Sequence, residues 1–247
     1  MIQAAKLASA KRITAVIPWF PYSRQDRKAK PREPISARLV ADMLQLAGVD
    51  RVLTMDLHAG QIQGFFTIPV DHMTAQQLFA RHFRDLGLHG DGVVSVAPDA
   101  GRAKVAVRFA EMLDADFAVM HKTRPSHDEV AVTDITGRVR DKIAIVGDDV
   151  IMTGGTLLEN VKVLKEQGAK DVWVFATHGL FCGNALEKFG DAELAGMVIT
   201  DTVPVDPLTR PDNLTVLPAA GLLAETIMNV FADDSVSAIF GGENQLF

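Results

Sequence analysis

Residues 143–156, Ile-Ala-Ile-Val-Gly-Asp-Asp-Val-Ile-Met-Thr-Gly-Gly-Thr, contain the pattern that decides the fold. The apolar run 143–147 predicts a buried strand, and the apolar spacing over about 156–167 predicts a helix. Between them, two glycines allow the backbone to approach a ligand closely. A strand, a turn and a helix in this order predict one unit of a parallel α/β sheet.

The chemistry of this turn indicates a phosphorylated sugar. Backbone amides in a glycine-rich turn and at a helix N-terminus favour an anion such as phosphate. The adjacent carboxylates of Asp148 and Asp149 would repel phosphate, but they can hydrogen-bond sugar hydroxyls or hold a metal. Together these groups predict a site for a phosphorylated ribose. The alternative is an acidic strand end followed by a glycine-rich turn with no ligand.

Composition narrows the class of protein. The chain has 247 residues, of which 48% are hydrophobic and 23% charged, and its net charge of −6 does not suggest nucleic-acid binding. Its single cysteine excludes an intrachain disulfide and suits a reducing cytoplasm. No apolar stretch approaches the roughly 20 residues that span a bilayer, and the N-terminus lacks a signal-peptide pattern. We therefore expect a cytoplasmic protein with neither a nucleic-acid nor a membrane partner.

Strand-like runs alternate with helix-like stretches along most of the chain, which predicts parallel sheets covered by helices. The predicted strands are 13–17, 52–55, 93–97, 117–120, 143–146, 172–176 and 214–217. The predicted helices lie near 37–47, 75–86, 103–113, 157–166 and 222–231. Ser36 is expected to cap the first of these helices and Gly48 to end it. Thr136-Gly137 predicts a turn that joins 130–135 to 142–146 as a β-flap.

Candidate binding residues follow several of these strands. The loop 22–32 carries five cations and one acid, which fits either a polyphosphate-binding loop or a solvated basic loop. His58 follows a strand beside Asp56 and is a candidate ligand for a metal or phosphate, although a lone histidine is more often only packed. Asp99 follows another strand and fits either a helix cap or, with His58, a partial Mg²⁺ site completed by water and phosphates.

A cationic pair follows the strand 117–120. In extended backbone Lys122 and Arg124 face the same side, because they are separated by one residue. Two cations on one face of a loop can clamp a transferring phosphoryl group. The alternative is an ordinary charged hairpin.

These strings together resemble ribose-phosphate pyrophosphokinase, also called phosphoribosyl pyrophosphate synthetase. The resemblance extends from about Ala8 to the C-terminus. Its most specific string runs from Asp56 through Phe66 and continues to Ile68-Pro69-Val70-Asp71-His72. The strings at 22–30, 177–181 and 201–204 are also similar to this family.

The resemblance implies an activity and a set of site residues. The family transfers the β,γ-diphosphoryl group of ATP to the C1 hydroxyl of ribose 5-phosphate, with Mg²⁺, and releases AMP. The implied residues are Arg24 and Gln25 for ATP; His58 and Asp99 for Mg²⁺; Lys122 and Arg124 for catalysis; Asp148 and Asp149 for the ribose hydroxyls; and Thr153, Gly154, Gly155 and Thr156 for the 5-phosphate.

The family fold implies two pseudo-symmetric phosphoribosyltransferase-like α/β domains with parallel sheets flanked by helices, plus a β-flap. The expected domains are residues 1–74 with 233–247 on the nucleotide side, and 75–232 on the ribose-phosphate side. Family members form homo-oligomers, often hexamers built from dimers, with phosphate and ADP as effectors. Members usually extend about 70 residues further at the N-terminus, so the resemblance implies a truncated chain.

Two other functions are also compatible with parts of the sequence. A phosphoribosyltransferase would use the segment 148–156, but it would not account for the basic loop, His58 or the Lys122/Arg124 pair. A catalytically silent subunit would bind ribose phosphate and modulate a partner. Met152 also stands where many family members carry a further acid.

Overall fold

The computed structural model describes residues 1–123 and 132–240, which divide into two compact units. The first unit comprises Met1–Thr74 and the segment from Ala220 onward, and the second is Ala75–Ala219. The second boundary predicted from the sequence lies later, at 232/233. The difference is the helix beginning at Ala220, whose buried Val230 lines a cavity of the first unit with Arg51 and Asp71.

The first unit is built on a three-stranded parallel sheet in the order β1-β2-β3. Its strands are β1 (Thr14–Val16), β2 (Arg51–Met55) and β3 (Val70–Met73). Its helices are α1 (Ile2–Leu7), α2 (Ser36–Ala47) and α7 (Ala220–Phe231), with short 3-10 helices at Gly60–Phe65 and Ser237–Phe240. α2 is followed by Gly48 as predicted. The predicted cap was wrong, because Ser36 is the first helical residue and Ile35 precedes it without a side-chain cap bond.

The second unit contains a seven-stranded sheet in the order β10-β9-β8-β7-β4-β5-β6. Its strands are β4 (Val93–Ala97), β5 (Asp116–Thr123), β6 (Val132–Thr136), β7 (Ile143–Ile151), β8 (Asp171–Gly179), β9 (Gly196–Thr200) and β10 (Leu214–Leu217). Its helices are α3 (Gln76–Asp85), α4 (Ala103–Leu113), α5 (Gly155–Glu166) and α6 (Ala185–Gly190). Neighbouring strands are parallel except for β5 and β6.

Helices cover both faces of this sheet. Successive residues of β8 point to opposite sides, so neighbouring side chains show what packs on each face. On one face the ring of Phe175 packs against Phe79 of α3 and Phe109 of α4, with centroid separations of 4.8 and 4.5 Å. On the other face Val174 belongs to a hydrophobic core that includes Val161 of α5. The predicted class, α/β with parallel sheets flanked by helices, is confirmed.

The antiparallel pair differs from the predicted flap. β6 pairs with β5, with Val119 opposite Thr136 and Lys122 opposite Thr133, so the predicted pairing of 130–135 with 142–146 was wrong. Gly137 has φ of 121°, and a Cβ there would lie 2.7 Å from the Cβ of Ala118. A close approach to β5 therefore requires the glycine at this position.

No helix among the described residues is long and apolar enough to span a bilayer.

Candidate functional site

The strand order of the second unit creates a crevice between β4 and β7. These strands are neighbours, but the chain leaves β4 toward β5 and leaves β7 toward β8. Ligands in open parallel sheets bind at such a switch point, beyond the carboxyl ends of the strands. The segments that follow β4 and β7 carry Asp99 and the predicted ribose-phosphate turn. The topology therefore brings these two predicted elements together.

The two adjacent carboxylates lie within the last part of β7. The strand was expected to end at 146, but it continues to Ile151 because its second half pairs with the end of β8. Asp149 is buried and Asp148 is half-buried. The backbone N–H of Asp149 donates to Oδ1 of Asp148 at 2.8 Å. The pair is therefore fixed by the strand and by its own backbone.

Arg102 is the residue at this site that sequence reasoning missed. Its guanidinium contacts Oδ1 of Asp149 and lies 3.2 Å from Oδ1 of Asp148. Burial and the neighbouring Asp149 charge raise the pKa of Asp148 to about 7, and Arg102 opposes that shift. The arginine therefore compensates two acids that would otherwise disfavour each other's ionised form.

The predicted ribose-phosphate turn, residues 153–156 and called the glycine turn below, has the geometry of an anion site. Gly154 has φ of 70° and precedes α5, whose first intrahelical bond runs from the N–H of Leu158 to the carbonyl of Gly154 at 2.9 Å. The amides of residues 155–157 thus precede the first donor of the helix. Thr153, Gly155 and Thr156 are exposed. Their N–H and hydroxyl groups can bind a phosphate at the positive end of α5.

Asp99 caps the short 3-10 helix Ala100–Arg102, as the structural alternative predicted. Its Oδ1 accepts from the backbone N–H of Arg102 at 3.2 Å. The preceding carbonyl, of Pro98, accepts from Nδ2 of the buried Asn160 on α5 at 3.2 Å. These bonds hold the end of β4 beside the acid pair, Asp148 and Asp149.

A hydroxyl network joins the ends of β8 and β9. The hydroxyl of Thr200 donates to the carbonyl of Thr177 at 2.6 Å. The hydroxyl oxygen of Thr202 lies 2.8 Å from Nδ1 of the buried His178. The strings at 177–181 and 201–204 therefore meet in the structure.

In the first unit, the predicted His58 follows β2 and is half-buried. The turn before it contains Asp56, whose φ is 36° and whose N–H donates to the carbonyl of Met73 at 2.9 Å. The buried N–H of Leu57 donates to Nε2 of His72 at 2.9 Å. His72 lies within the most specific string of the family resemblance, but the sequence alone predicts no role for it. The structure shows that it holds the turn that bears His58.

The basic loop lies next to this turn. Arg24 and Gln25 are exposed, and Nε2 of Gln61 donates to Oδ2 of Asp26 at 3.0 Å. β1 and β2 are parallel neighbours, so the loop after β1 and the segment after β2 start at one edge of the sheet. The structure therefore brings the predicted ATP-binding loop and the His58 segment together.

The remaining predicted residues are the cationic pair and the two candidate Mg²⁺ ligands. Arg124 lies outside the described residues, and Lys122 is placed by its backbone in β5. His58 belongs to the first unit and Asp99 to the second. Within residues 1–123 and 132–240, no cluster of three or more His, Cys, Asp or Glu side chains could hold a metal ion.

Comparison with known proteins identifies the family. The model of the N-terminal domain of ribose phosphate pyrophosphokinase matches residues 1–48, and that of the phosphoribosyl synthetase-associated domain matches residues 125–241. The ribose-phosphate pyrophosphokinase of Corynebacterium efficiens is 47% identical over 246 residues, covering 98% of this chain and 75% of that protein. The chain belongs to the ribose-phosphate pyrophosphokinase family.

Other members of the family agree with this assignment. Ribose-phosphate pyrophosphokinase 2 of Schizosaccharomyces pombe is 46% identical over 242 residues, covering 97% of this chain and 75% of that protein. The crystal structure of phosphoribosylpyrophosphate synthetase from Mycobacterium smegmatis superimposes with a TM-score of 0.85 at 45% identity, covering 94% of this chain and 76% of that one. The chain is therefore an enzyme of this family by sequence and by fold.

Proposed function

We propose that this chain transfers the β,γ-diphosphoryl group of ATP to the C1 hydroxyl of ribose 5-phosphate, giving phosphoribosyl pyrophosphate and AMP. The observation that carries the proposal is the acid pair of β7 followed by the glycine turn and α5. In a chain of this family, that arrangement offers acceptors for sugar hydroxyls next to donors for a phosphate.

Each predicted residue has a part in the proposed reaction. Asp148 and Asp149 accept hydrogen bonds from the ribose hydroxyls, and the turn 153–156 holds the 5-phosphate. The acid pair fixes the direction of the neighbouring C1 hydroxyl, and such orientation lowers the barrier to attack on the β-phosphorus. AMP is the leaving group. Lys122 and Arg124 stabilise the charge that develops on the transferred group.

The proposed ATP contacts lie in the first unit. Arg24 and Gln25 lie on the exposed loop after β1 and would contact ATP, since guanidinium groups pair well with phosphate oxygens. His58 and Asp99 would hold Mg²⁺. An imidazole and a carboxylate leave most of the coordination positions to water and substrate phosphates, which is the usual arrangement for this ion. When bound, Mg²⁺ neutralises phosphate charge.

The proposal also covers the assembly, effectors, compartment and partners of the enzyme. We expect a homo-oligomer, either a dimer or a hexamer, with phosphate and ADP as effectors. The single cysteine fits a reducing compartment such as the cytoplasm. ATP and ribose 5-phosphate are the expected partners, and we expect neither nucleic acid nor membrane to bind.

The test is ribose 5-phosphate-dependent formation of AMP by the purified chain with ATP and Mg²⁺. AMP formed in equal amount with phosphoribosyl pyrophosphate is the expected result. A folded chain that binds ribose 5-phosphate but forms no AMP would instead favour the silent subunit. Release of pyrophosphate from phosphoribosyl pyrophosphate with a nucleobase would favour a phosphoribosyltransferase.

A further inference from the structure

The segment after β8 supports the glycine turn through its backbone. The N–H groups of Leu180 and Phe181 both donate to the carbonyl of Ile151, at 2.9 and 3.1 Å. The N–H of Cys182 donates to the carbonyl of Met152 at 2.9 Å. The residues immediately before the turn are therefore fixed to the chain that leads into α6.

One buried side chain extends this support to the turn itself. Phe189 of α6 is 0% exposed, and its ring lies edge-on to Phe181 with centroids 6.3 Å apart. A Cβ added to Gly154 would overlap the Cε2 edge of this ring and would lie 2.8 Å from Cζ. The ring therefore fills the space behind the bare Cα of Gly154.

We infer that Phe189 is a positioning residue for the turn that binds the 5-phosphate, an inference that rests on the proposed function. The ring contacts the side of Gly154 that is buried, while Thr153, Gly155 and Thr156 are exposed around it. The depth of Gly154 fixes where the neighbouring amides point. Sub-ångström placement of such donors decides how well they bind an anion.

A change at Phe189 should alter binding of ribose 5-phosphate more than turnover. The 5-phosphate does not react, so its contacts are the same in the ground state and in the transition state. Loss of such uniform binding raises KM and leaves kcat nearly unchanged. A purely structural role would instead reduce the amount of active enzyme without changing KM.

The first variant is Phe189→Leu, which removes the Cε2 and Cζ atoms and keeps an apolar side chain. We expect the KM for ribose 5-phosphate to rise about tenfold, with kcat and the KM for ATP within about twofold of wild type. Phe83→Leu is the matched control, because Phe83 is also fully buried in the second unit but packs against Phe109 and Trp173. Equal KM values in the two leucine variants would overturn the inference. Phe189→Met serves in the same comparison if the leucine variant does not fold.

The second test is rescue. Gly154→Ala should raise the KM for ribose 5-phosphate about a hundredfold, because its Cβ meets the Phe189 ring and φ of 70° is unfavourable for alanine. Adding Phe189→Leu removes the colliding atoms and should lower that KM about tenfold, leaving the backbone strain. Adding Phe83→Leu should give no rescue. A double variant no better than Gly154→Ala alone would contradict a contact between ring and turn.

Different results would contradict the proposed function and the positioning role of Phe189. A wild-type chain that forms no AMP contradicts the proposed function, whatever the variants do. The amide resonance of Gly155, measured by NMR without substrate, reports the turn geometry independently of activity. It should shift in Phe189→Leu and stay in place in Phe83→Leu, and an unshifted resonance in both would overturn the inference even for an active enzyme.

Discussion

Arg102 contacts the acid pair of β7, so the loss of stability caused by replacing this arginine should depend on pH. Arg102→Met keeps the length and apolar volume of the side chain and removes its charge. The Arg102 side chain is 16% exposed and that of Asp149 is 2% exposed, so the pair is largely buried. Removing one partner of such a pair leaves an uncompensated charge and costs about 3 kcal/mol, the low end for buried pairs.

The pH dependence follows from the pKa of Asp148, which is raised from 3.8 to about 7 in the folded protein. The folded state thus retains a proton that the unfolded chain releases above about pH 4, and the free energy of unfolding falls as pH rises from about 4 to about 7. The shift corresponds to at most about 4 kcal/mol, and we expect about 2 kcal/mol because 26% of the Asp148 side chain is exposed to water.

Arg102 should therefore matter most at high pH. At pH 8 both carboxylates are ionised, and Arg102→Met should lower the free energy of unfolding by about 5 kcal/mol, the high end for buried pairs. At pH 5.5 Asp148 is protonated, so the guanidinium compensates only the charge of Asp149 and the loss should be about 3 kcal/mol. Arg84→Met is the control, since Arg84 pairs with Asp114 on the surface of the same unit, and it should cost under about 1 kcal/mol at both pH values.

The assay is urea unfolding at the two pH values, followed by tryptophan fluorescence. The chain has two tryptophans, and Trp173 lies on β8 with its ring 5.8 Å from that of Phe83. In a Trp19→Phe background the signal therefore reports on the second unit. An Arg102→Met loss that is equal at both pH values, or no larger than that of Arg84→Met at pH 8, would refute this account of the acid pair.

Three further predictions concern the proposed reaction. Lys122→Ala should reduce kcat about 10³-fold while ribose 5-phosphate still binds, and an equal loss of binding by calorimetry would contradict the assigned role. Asp149→Asn should weaken ribose 5-phosphate binding about tenfold or more, because a charge-assisted acceptor is lost, and an unchanged dissociation constant would refute it. His72→Phe leaves the buried N–H of Leu57 without its acceptor and should raise the Mg²⁺ concentration for half-maximal AMP formation. His72→Gln, which retains an acceptor, should lie between that variant and wild type, and identical Mg²⁺ titrations would oppose a positioning role for His72.

The central βα unit was predictable because its signals are local. An apolar strand, two glycines and a helical period lie within one continuous stretch, and the structure places β7, the turn and α5 there. The strand nevertheless extends to Ile151, past the predicted end, because pairing with β8 overrides the polar character of Asp148 and Asp149.

The contacts that depend on strand order were not predictable from one sequence. Arg102 and the acid pair are far apart in the chain and meet because β4 lies beside β7. The partner of β6 depends on the same kind of long-range pairing, and local turn chemistry at Gly137 indicated the wrong strand. β3 and β9 were missed because short strands with glycine, proline or charged neighbours give weak periodic signals.

The most direct test of the proposed reaction follows the phosphorus atoms of ATP by ³¹P NMR, with the purified chain, Mg²⁺ and ribose 5-phosphate. Transfer of the diphosphoryl group predicts that the β and γ resonances of ATP are replaced by the two coupled resonances of a diphosphate on ribose C1, while AMP accumulates in equal amount. Formation of ADP with ribose 1,5-bisphosphate, or of ADP with orthophosphate, would contradict the assignment of this chain as a diphosphotransferase.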